Sequence, residues 1–220
     1  DGVNIILMVD GRKAISDKDL ETINTQAIDT MRIANGNTAE LNFYIVIYGL
    51  LGDGYAVLNK EQPYTYSDNI SDVLLSFPRT IADGELDVTG PLSFVAEIAE
   101  SSSYPTYAFS IFDENNLFYR HPKGDKLVER CIKSNVRISN VAPITLPEVG
   151  FMIDAQKNTN GIHINNYKFC NDAIKFIFGE DYIYVPSADE IRAQKTYMLP
   201  NNLEIVELDE PIAPIYKEAY

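Results

Sequence analysis

The stretch Asn4–Ser16, NIILMVDGRKAIS, decides how the rest of the chain is read. An apolar run, Val3–Val9, ends in an aspartate, and a short polar loop then leads into a helical pattern. A run that is apolar at every position, rather than at every second one, marks a strand covered on both faces. Such strands belong to sheets with helices above and below. The carboxylate at the end of the run, Asp10, then stands where sheets of this kind meet their ligands. Its job is to hold a metal ion, a nucleotide or a catalytic proton, or only to hold its own loop.

Reading outward, Ser16 precedes Asp17-Lys18-Asp19, an N-cap with an acid three residues on. Leu20, Ile23, Ala27, Met31 and Ala34 follow at spacings of three and four, one apolar helical stripe. Asn35-Gly36 is the expected stop, since both residues tolerate a left-handed backbone. Leu41–Tyr48, LNFYIVIY, reads as a second buried strand. Gly52-Asp53-Gly54 is a turn signal, so Tyr55–Leu58 reads as a third strand joined by a hairpin. A short helix is expected over Asn69–Phe77, closed by Pro78. The loop RTIADGELDVTG leads to Pro91, suited to a helix first turn, with Leu92, Val95 and Ala99 as its core stripe.

Tyr104–Phe112 is a fourth strand, ending at Asp113. Leu127, Val128, Cys131 and Ile132 form the buried face of the next helix, and Val136–Ile144 a fifth strand. A helix over Leu146–Gln156, a short strand over Gly161–Ile164 and an amphipathic helix over Tyr167–Phe178 complete the pattern. Alternation of strand and helix gives an α/β fold: a doubly wound, mostly parallel six-stranded sheet with helices on both faces. Residues 1–179 make one domain, and residues 180–220 a C-terminal extension. In the extension, YIYV and LEIVEL pattern as short strands, and Pro186, Pro200, Pro211 and Pro214 cut it into extended pieces.

Composition narrows the function. The 220 residues are 45% hydrophobic, enough for one sizeable core. A formal net charge of −14 repels phosphate backbones and anionic lipid, which argues against nucleic acid and membrane surfaces as partners. No apolar run approaches the ~20 residues of a membrane span. The sequence opens at Asp1 with neither an initiating Met nor a signal segment, as expected of a processed product or a fragment. Two cysteines, Cys131 and Cys170, are too few for a disulfide framework. Asn69-Ile70-Ser71 is a glycosylation sequon, usable if the protein is secreted.

Nucleotide-binding signatures are missing after the first strand: there is no Gly-x-x-x-x-Gly-Lys-Ser/Thr and no Gly-x-Gly-x-x-Gly. Gly49, Gly52 and Gly54 follow the second strand and lead into a hairpin, which is turn chemistry. A hydrolase needs a nucleophile, a base and an orienting group. His121 precedes a helix in YRHPKGD, and His163 alternates with Ile162 and Ile164; each reads as a surface or satisfied polar residue. Cys131 lies on a core stripe and reads as a small buried hydrophobe. Nothing assembles a triad, and no enzymatic activity is expected.

The order of elements and the rim residues resemble the von Willebrand factor A family over about residues 1–178. In that family the first strand ends in Asp-x-Ser-x-Ser, a later loop gives a Thr, and the fourth strand ends in an Asp. Together these hold a divalent cation whose open position takes an acidic side chain from a partner. The matching residues are Asp10, Thr89 in VTGPLSFVAEI and Asp113 in AFSIFDENN, with RISNVAPI and TNGIHINNYKFCNDAIKFIFG resembling the last strands and helix. The departures fall on the ligands. Arg12 and Ala14 stand at the serine positions, and Phe112 stands where the family has Thr. Ala14 has no oxygen to donate, and Arg12 brings a permanent positive charge. Mg²⁺ demands near-octahedral oxygen coordination, so a cofactor metal is disfavoured. Asp83, Glu85 and Asp87 near Thr89 read as a solvated loop rather than substitute ligands. Asp10 is expected to pair with Arg12 or to cap nearby backbone N–H groups.

The resemblance implies a non-enzymatic adhesion or assembly module, extracellular or at the cell surface, that binds a protein partner or a second copy of itself. Its binding residues would be Asp10, Arg12, Thr89, Asp113 and Glu114. The alternatives are a structural subunit of an extracellular polymer, assembling through residues 180–220, and a small-ligand or metal-binding domain using the Asp10, Thr89 and Asp113 rim. The family topology also places the helices carrying Cys131 and Cys170 on opposite faces of the sheet, so the two are not expected to bond.

Overall fold

The computed structural model describes residues 1–50, 54–58, 74–80, 87–113, 122–143 and 150–197. Strand β1 (Gly2–Asp10) is followed by helix α1 (Asp17–Asn37), β2 (Glu40–Leu50) and β3 (Gly54–Val57). Then come α2 (Thr89–Ser101), β4 (Thr106–Ile111), α3 (Pro122–Lys133), β5 (Val136–Val141), α4 (Phe151–Asn158), β6 (His163–Ile164) and α5 (Cys170–Phe178). The six strands lie in the order β3-β2-β1-β4-β5-β6. All pairs are parallel except β2–β3, an antiparallel hairpin at the edge.

The continuous apolar run of β1 has a direct physical cause. Ile5, Leu7 and Val9 point to one face, where they pack with Ile23, Ala27 and Met31 of α1 and Ile174 of α5. Ile6 and Met8 point to the other, against Leu92 and Val95 of α2, Val128 of α3 and Met152 of α4. Each such aliphatic side chain contributes about 1.5–3 kcal/mol on burial. With water on either face, half of that run would be exposed. The buried face of α3 is narrower than its sequence stripe: Val128 and Cys131 are buried, but Ile132 is 46% exposed. The Asn69–Phe77 segment is helical at residues 74–76, and its earlier part lies outside the described residues.

Ser16 caps α1 as expected, its Oγ accepting from the Asp19 N–H at 3.1 Å. The other end differs. α1 continues through Asn35-Gly36 to Asn37. Gly36 is a contact glycine rather than a stop: a Cβ there would come 2.4 Å from Val185 Cγ2. Asn37 donates to the Ile183 carbonyl and accepts from the Ile183 N–H, both at 2.7 Å. The Arg32 guanidinium lies 5.9 Å from the Tyr184 ring centroid. The start of the extension is thereby tied to α1, and the first compact unit is Asp1–Val185.

The second unit is Pro186–Tyr220. Its described part is helix α6 (Ala188–Tyr197), where extended pieces and short strands were expected. Ser187 and Glu190 form a reciprocal capping box, with Glu190 N–H on Ser187 Oγ at 3.2 Å and Ser187 N–H on Glu190 Oε2 at 2.7 Å. Pro186 and Pro200 bracket this helix instead of breaking it. The LEIVEL stretch lies outside the described residues.

Cys131 and Cys170 are both free and buried, in the cores on opposite faces of the sheet. Burial pushes the Cys131 thiol up to about 12 and the Cys170 thiol up to about 11. Both therefore stay protonated at neutral pH and resist alkylation. Intact mass of native protein treated with iodoacetamide at pH 8 should show no adduct and no loss of two hydrogens, with two adducts after denaturation. Because these pKa values are raised in the fold, the unfolded thiols ionise first, from the ordinary value near 9.0. Their contribution to stability is complete below that pH and declines above it.

Candidate functional site

The chain runs from β1 to β2 and β3 on one side of the sheet, then crosses to β4, β5 and β6 on the other. The strand order therefore reverses between β1 and β4, and the crevice of such a sheet opens there, beyond the carboxyl ends. Asp10 is the last residue of β1, and Asp113 follows the end of β4. The two adjoining strands pair in register up to Val9 and Ile111.

Asp10 is fully buried, and Arg12 is 5% exposed. The Arg12 Nε donates to Asp10 Oδ1 at 3.1 Å, and its Nη2 to Oδ2 at 3.3 Å, so the guanidinium fork meets both carboxylate oxygens. The Arg12 backbone N–H adds a third donor to Oδ1 at 2.9 Å. Asp10 thus pairs with Arg12 and caps its own loop at once. Beside it, Tyr48 is opposite Asp10 in the β1–β2 register, with its hydroxyl 3.3 Å from Ser110 Oγ. Burial, and then the Asp10 carboxylate, push the Tyr48 phenol well above its ordinary range. It remains a neutral hydrogen-bonding group.

The loop that carries Arg12 is clamped from outside by Arg79 and Thr80. Arg79 donates to the carbonyls of Arg12 and Ile15 and pairs with Asp17 at 2.8 Å. Thr80 exchanges backbone hydrogen bonds with this loop, its carbonyl accepting from Lys13 N–H and its N–H reaching the Gly11 carbonyl. Its hydroxyl donates to the Gly49 carbonyl at 2.8 Å. Arg79 and Thr80 lie in RTIADGELDVTG, a stretch whose sequence shows only a loop. An arginine flanked by Pro78 and a β-branched residue is weak notice of a clamp.

Thr89 is the first residue of α2, and its N–H bonds Asp87 Oδ1 at 2.8 Å. Asp87 therefore acts on the helix terminus, in keeping with a carboxylate near positive N–H groups. The Thr89 side chain lines an open cleft of about 460 Å³ between β3, α2 and α3, with Tyr55, Lys123, Lys126, Leu127 and Arg130. Asp113 is half-buried, while Phe112, before it, is buried and accepts from the Tyr167 hydroxyl at 3.0 Å. His163 of β6 stands opposite Asn140 of β5. Among the described residues no group of three or more His, Cys, Asp or Glu side chains is arranged to hold a metal ion. Asn69, Asp83, Glu85, Glu114 and His121 lie outside the described residues. Of the rim residues, Asp10 and Arg12 are in direct contact, Asp113 lies two residues beyond the neighbouring strand, and Thr89 belongs to the cleft.

No protein-family model and no curated protein matches the sequence. Solved structures do match the fold. A von Willebrand factor type A protein from Catenulispora acidiphila aligns with a TM-score of 0.54 at 11% identity, over 82% of this chain and 42% of that one. Proximal thread matrix protein 1 from the mussel byssus aligns with a TM-score of 0.52 at 10% identity, over 81% and 45%. The human COPII-coat protein Sec24c aligns with a TM-score of 0.53 at 8% identity, over 79% and 32%. The chain spans less than half the length of each of these proteins. The fold is von Willebrand factor A-like.

Removing one partner of a buried ion pair strands the other charge, which costs about 3–5 kcal/mol. Asp10→Ala should lower the urea unfolding free energy by about that amount, because Arg12 then loses the carboxylate that meets its guanidinium fork. Replacing both residues, Asp10→Leu with Arg12→Met, should recover much of the loss. A double variant no better than Asp10→Ala would show that the pair does not set the stability of this loop.

Proposed function

We infer that the chain is a non-enzymatic protein-interaction module, of the adhesion or assembly kind, that works without the divalent cation typical of its fold. The observation that carries the reading is the Arg12 guanidinium seated on both oxygens of Asp10. A cation bound to Asp10 would have to displace a guanidinium already held there and would face its repulsion. Ala14, at the next expected ligand position, has no oxygen to offer. The reading takes the rim as a surface for contact rather than a site of chemistry. Among the described residues no helix is long and apolar enough to cross a membrane. An extracellular or cell-surface setting agrees with the sequon at Asn69 and with the byssal thread protein among the structural matches.

That same match favours a second reading, a structural subunit that assembles through residues 180–220. The docking of Ile183 and Val185 on α1 makes the start of this segment part of the folded body. Under this second reading, a chain truncated after Val185 stays folded but loses self-association in analytical ultracentrifugation. Unchanged self-association would leave the rim and the domain surfaces as the contact.

Calorimetric titration with Mg²⁺ or Mn²⁺ should show weak binding or none. Arg12→Ser with Ala14→Ser should then gain measurable affinity, since it restores two oxygens and removes the competing charge. Micromolar affinity in the unaltered chain, abolished by Asp113→Ala, would overturn the metal-free reading.

A further inference from the structure

The last two turns of α1 form a receptor for one short stretch of chain. Asn37 reads the peptide group of Ile183 from both sides, its amide donating to the carbonyl and accepting from the N–H, each at 2.7 Å. The same amide is held in place by a bond to the Ile33 carbonyl at 2.8 Å. Gly36 leaves the space that Val185 fills: a Cβ there would lie 2.4 Å from Val185 Cγ2 and 3.8 Å from Val185 Cβ. Arg32, one turn back on the same face, carries the Tyr184 ring at 5.9 Å from guanidinium to centroid. Main-chain pairing combined with seats for single side chains is how proteins bind extended peptides. Here the bound peptide is the chain's own strap, Tyr182–Val185, with Ile183 lying 146 residues beyond Asn37.

The strap is lightly attached to its own domain. Ile183 is 56% exposed and Tyr184 52%, while Tyr182 and Val185 are half-buried. Its connection to α5 is short and begins at Gly179, whose φ of +90° suits glycine and where nothing lies within 4 Å of an added Cβ. The chain therefore leaves α5 through a backbone turn rather than through side-chain packing. The Lys175–Glu180 ion pair beside this turn is solvent-exposed and contributes little. A short connection hinged at glycine, leading to a segment with its own receptor, is the arrangement in which two copies exchange that segment.

We propose that the Arg32, Gly36 and Asn37 face of one copy receives the Tyr182–Val185 strap of a second copy, so that two chains pair by reciprocal exchange of their straps. The occupant is fixed by what already sits there, since Val185 against Gly36 and Tyr184 over Arg32 fit this sequence. Exchange reproduces each of these contacts between copies and loses none of them, so concentration decides between the two arrangements. Docking within one chain through a short connection corresponds to an effective concentration on the order of millimolar, and exchange therefore belongs to concentrated protein. The proposal rests on the reading of the chain as an interaction module, names a second copy as the partner, and asks nothing of the Asp10 rim. A chain truncated after Val185 keeps this strap, so exchange is distinct from assembly through the residues beyond it.

The test is the full chain carrying Gly36→Cys with Val185→Cys. The 3.8 Å between the two Cβ positions matches the spacing of a disulfide, and the native Cys131 and Cys170 are buried. Oxidised at micromolar protein, the new pair should close within one chain. Equilibrated at millimolar protein before oxidation, it should give a covalent dimer of about twice 24.7 kDa, with position 36 of one copy linked to position 185 of the other in a peptide map. A second measurement mixes two full-length variants and follows mass by sedimentation equilibrium. Gly36→Val blocks the receptor and leaves the strap intact, while Ile183→Pro with Val185→Asp disables the strap and leaves the receptor intact. The mixture should gain a species of about twice 24.7 kDa that neither variant forms alone. The proposal is overturned if position 36 bonds to position 185 only within one chain at every concentration, if chains are joined only through like positions, or if mixing adds no such species. Should exchange fail in this way while the unaltered chain still self-associates, the interaction-module reading stands on another surface.

Discussion

Strand β1 has no face open to water. Its side chains alternate between two cores, each closed by helices, and its neighbours β2 and β4 occupy both of its hydrogen-bonding edges. A carboxylate at the end of such a strand cannot rely on solvent for its charge. It needs a counter-charge within the protein, and either a metal ion or a basic side chain can supply it. Arg12 supplies it here, two residues along the same loop, and this local pairing sets the geometry of the turn into α1. The clamp of Arg79 and Thr80 then fixes the loop from outside.

Much of this architecture was legible in the residues. The unbroken apolar run of Val3–Val9 announced a strand buried on both sides, and the alternation after it announced a parallel sheet. Spacing gave α1 its face and Ser16 its cap. What escaped was set by contacts distant in sequence or by local chemistry that mimics another signal. Asn35-Gly36 has the composition of a helix stop, but Gly36 is small because Val185 lies on it. Pro186 and Pro200 suggested an extended strap, yet the Ser187 and Glu190 box between them starts a helix. Ile132 fits the helical stripe of α3 by spacing, yet it lies at the edge of the buried face and is 46% exposed.

The candidate site shows the same division. The identity of Arg12 and Ala14 was visible at once, and the contact between Arg12 and Asp10 follows from their separation of two residues. The role of Arg79 was not visible, because two of its partners are backbone carbonyls and the third, Asp17, lies 62 residues away in the sequence. The von Willebrand factor A-like fold, shared with the three named structures at 8–11% identity, fixes where ligands would meet the sheet and leaves the chemistry to these side chains.

The central claim is that a guanidinium occupies the position at which this fold otherwise places a cation. The most direct measurement is an anomalous difference map from crystals of the chain grown with Mn²⁺ in excess. The account predicts no peak within bonding distance of Asp10, with the Arg12 side chain seated on both carboxylate oxygens. A manganese peak bridging Asp10 and Asp113, with Arg12 swung out to solvent, would contradict it.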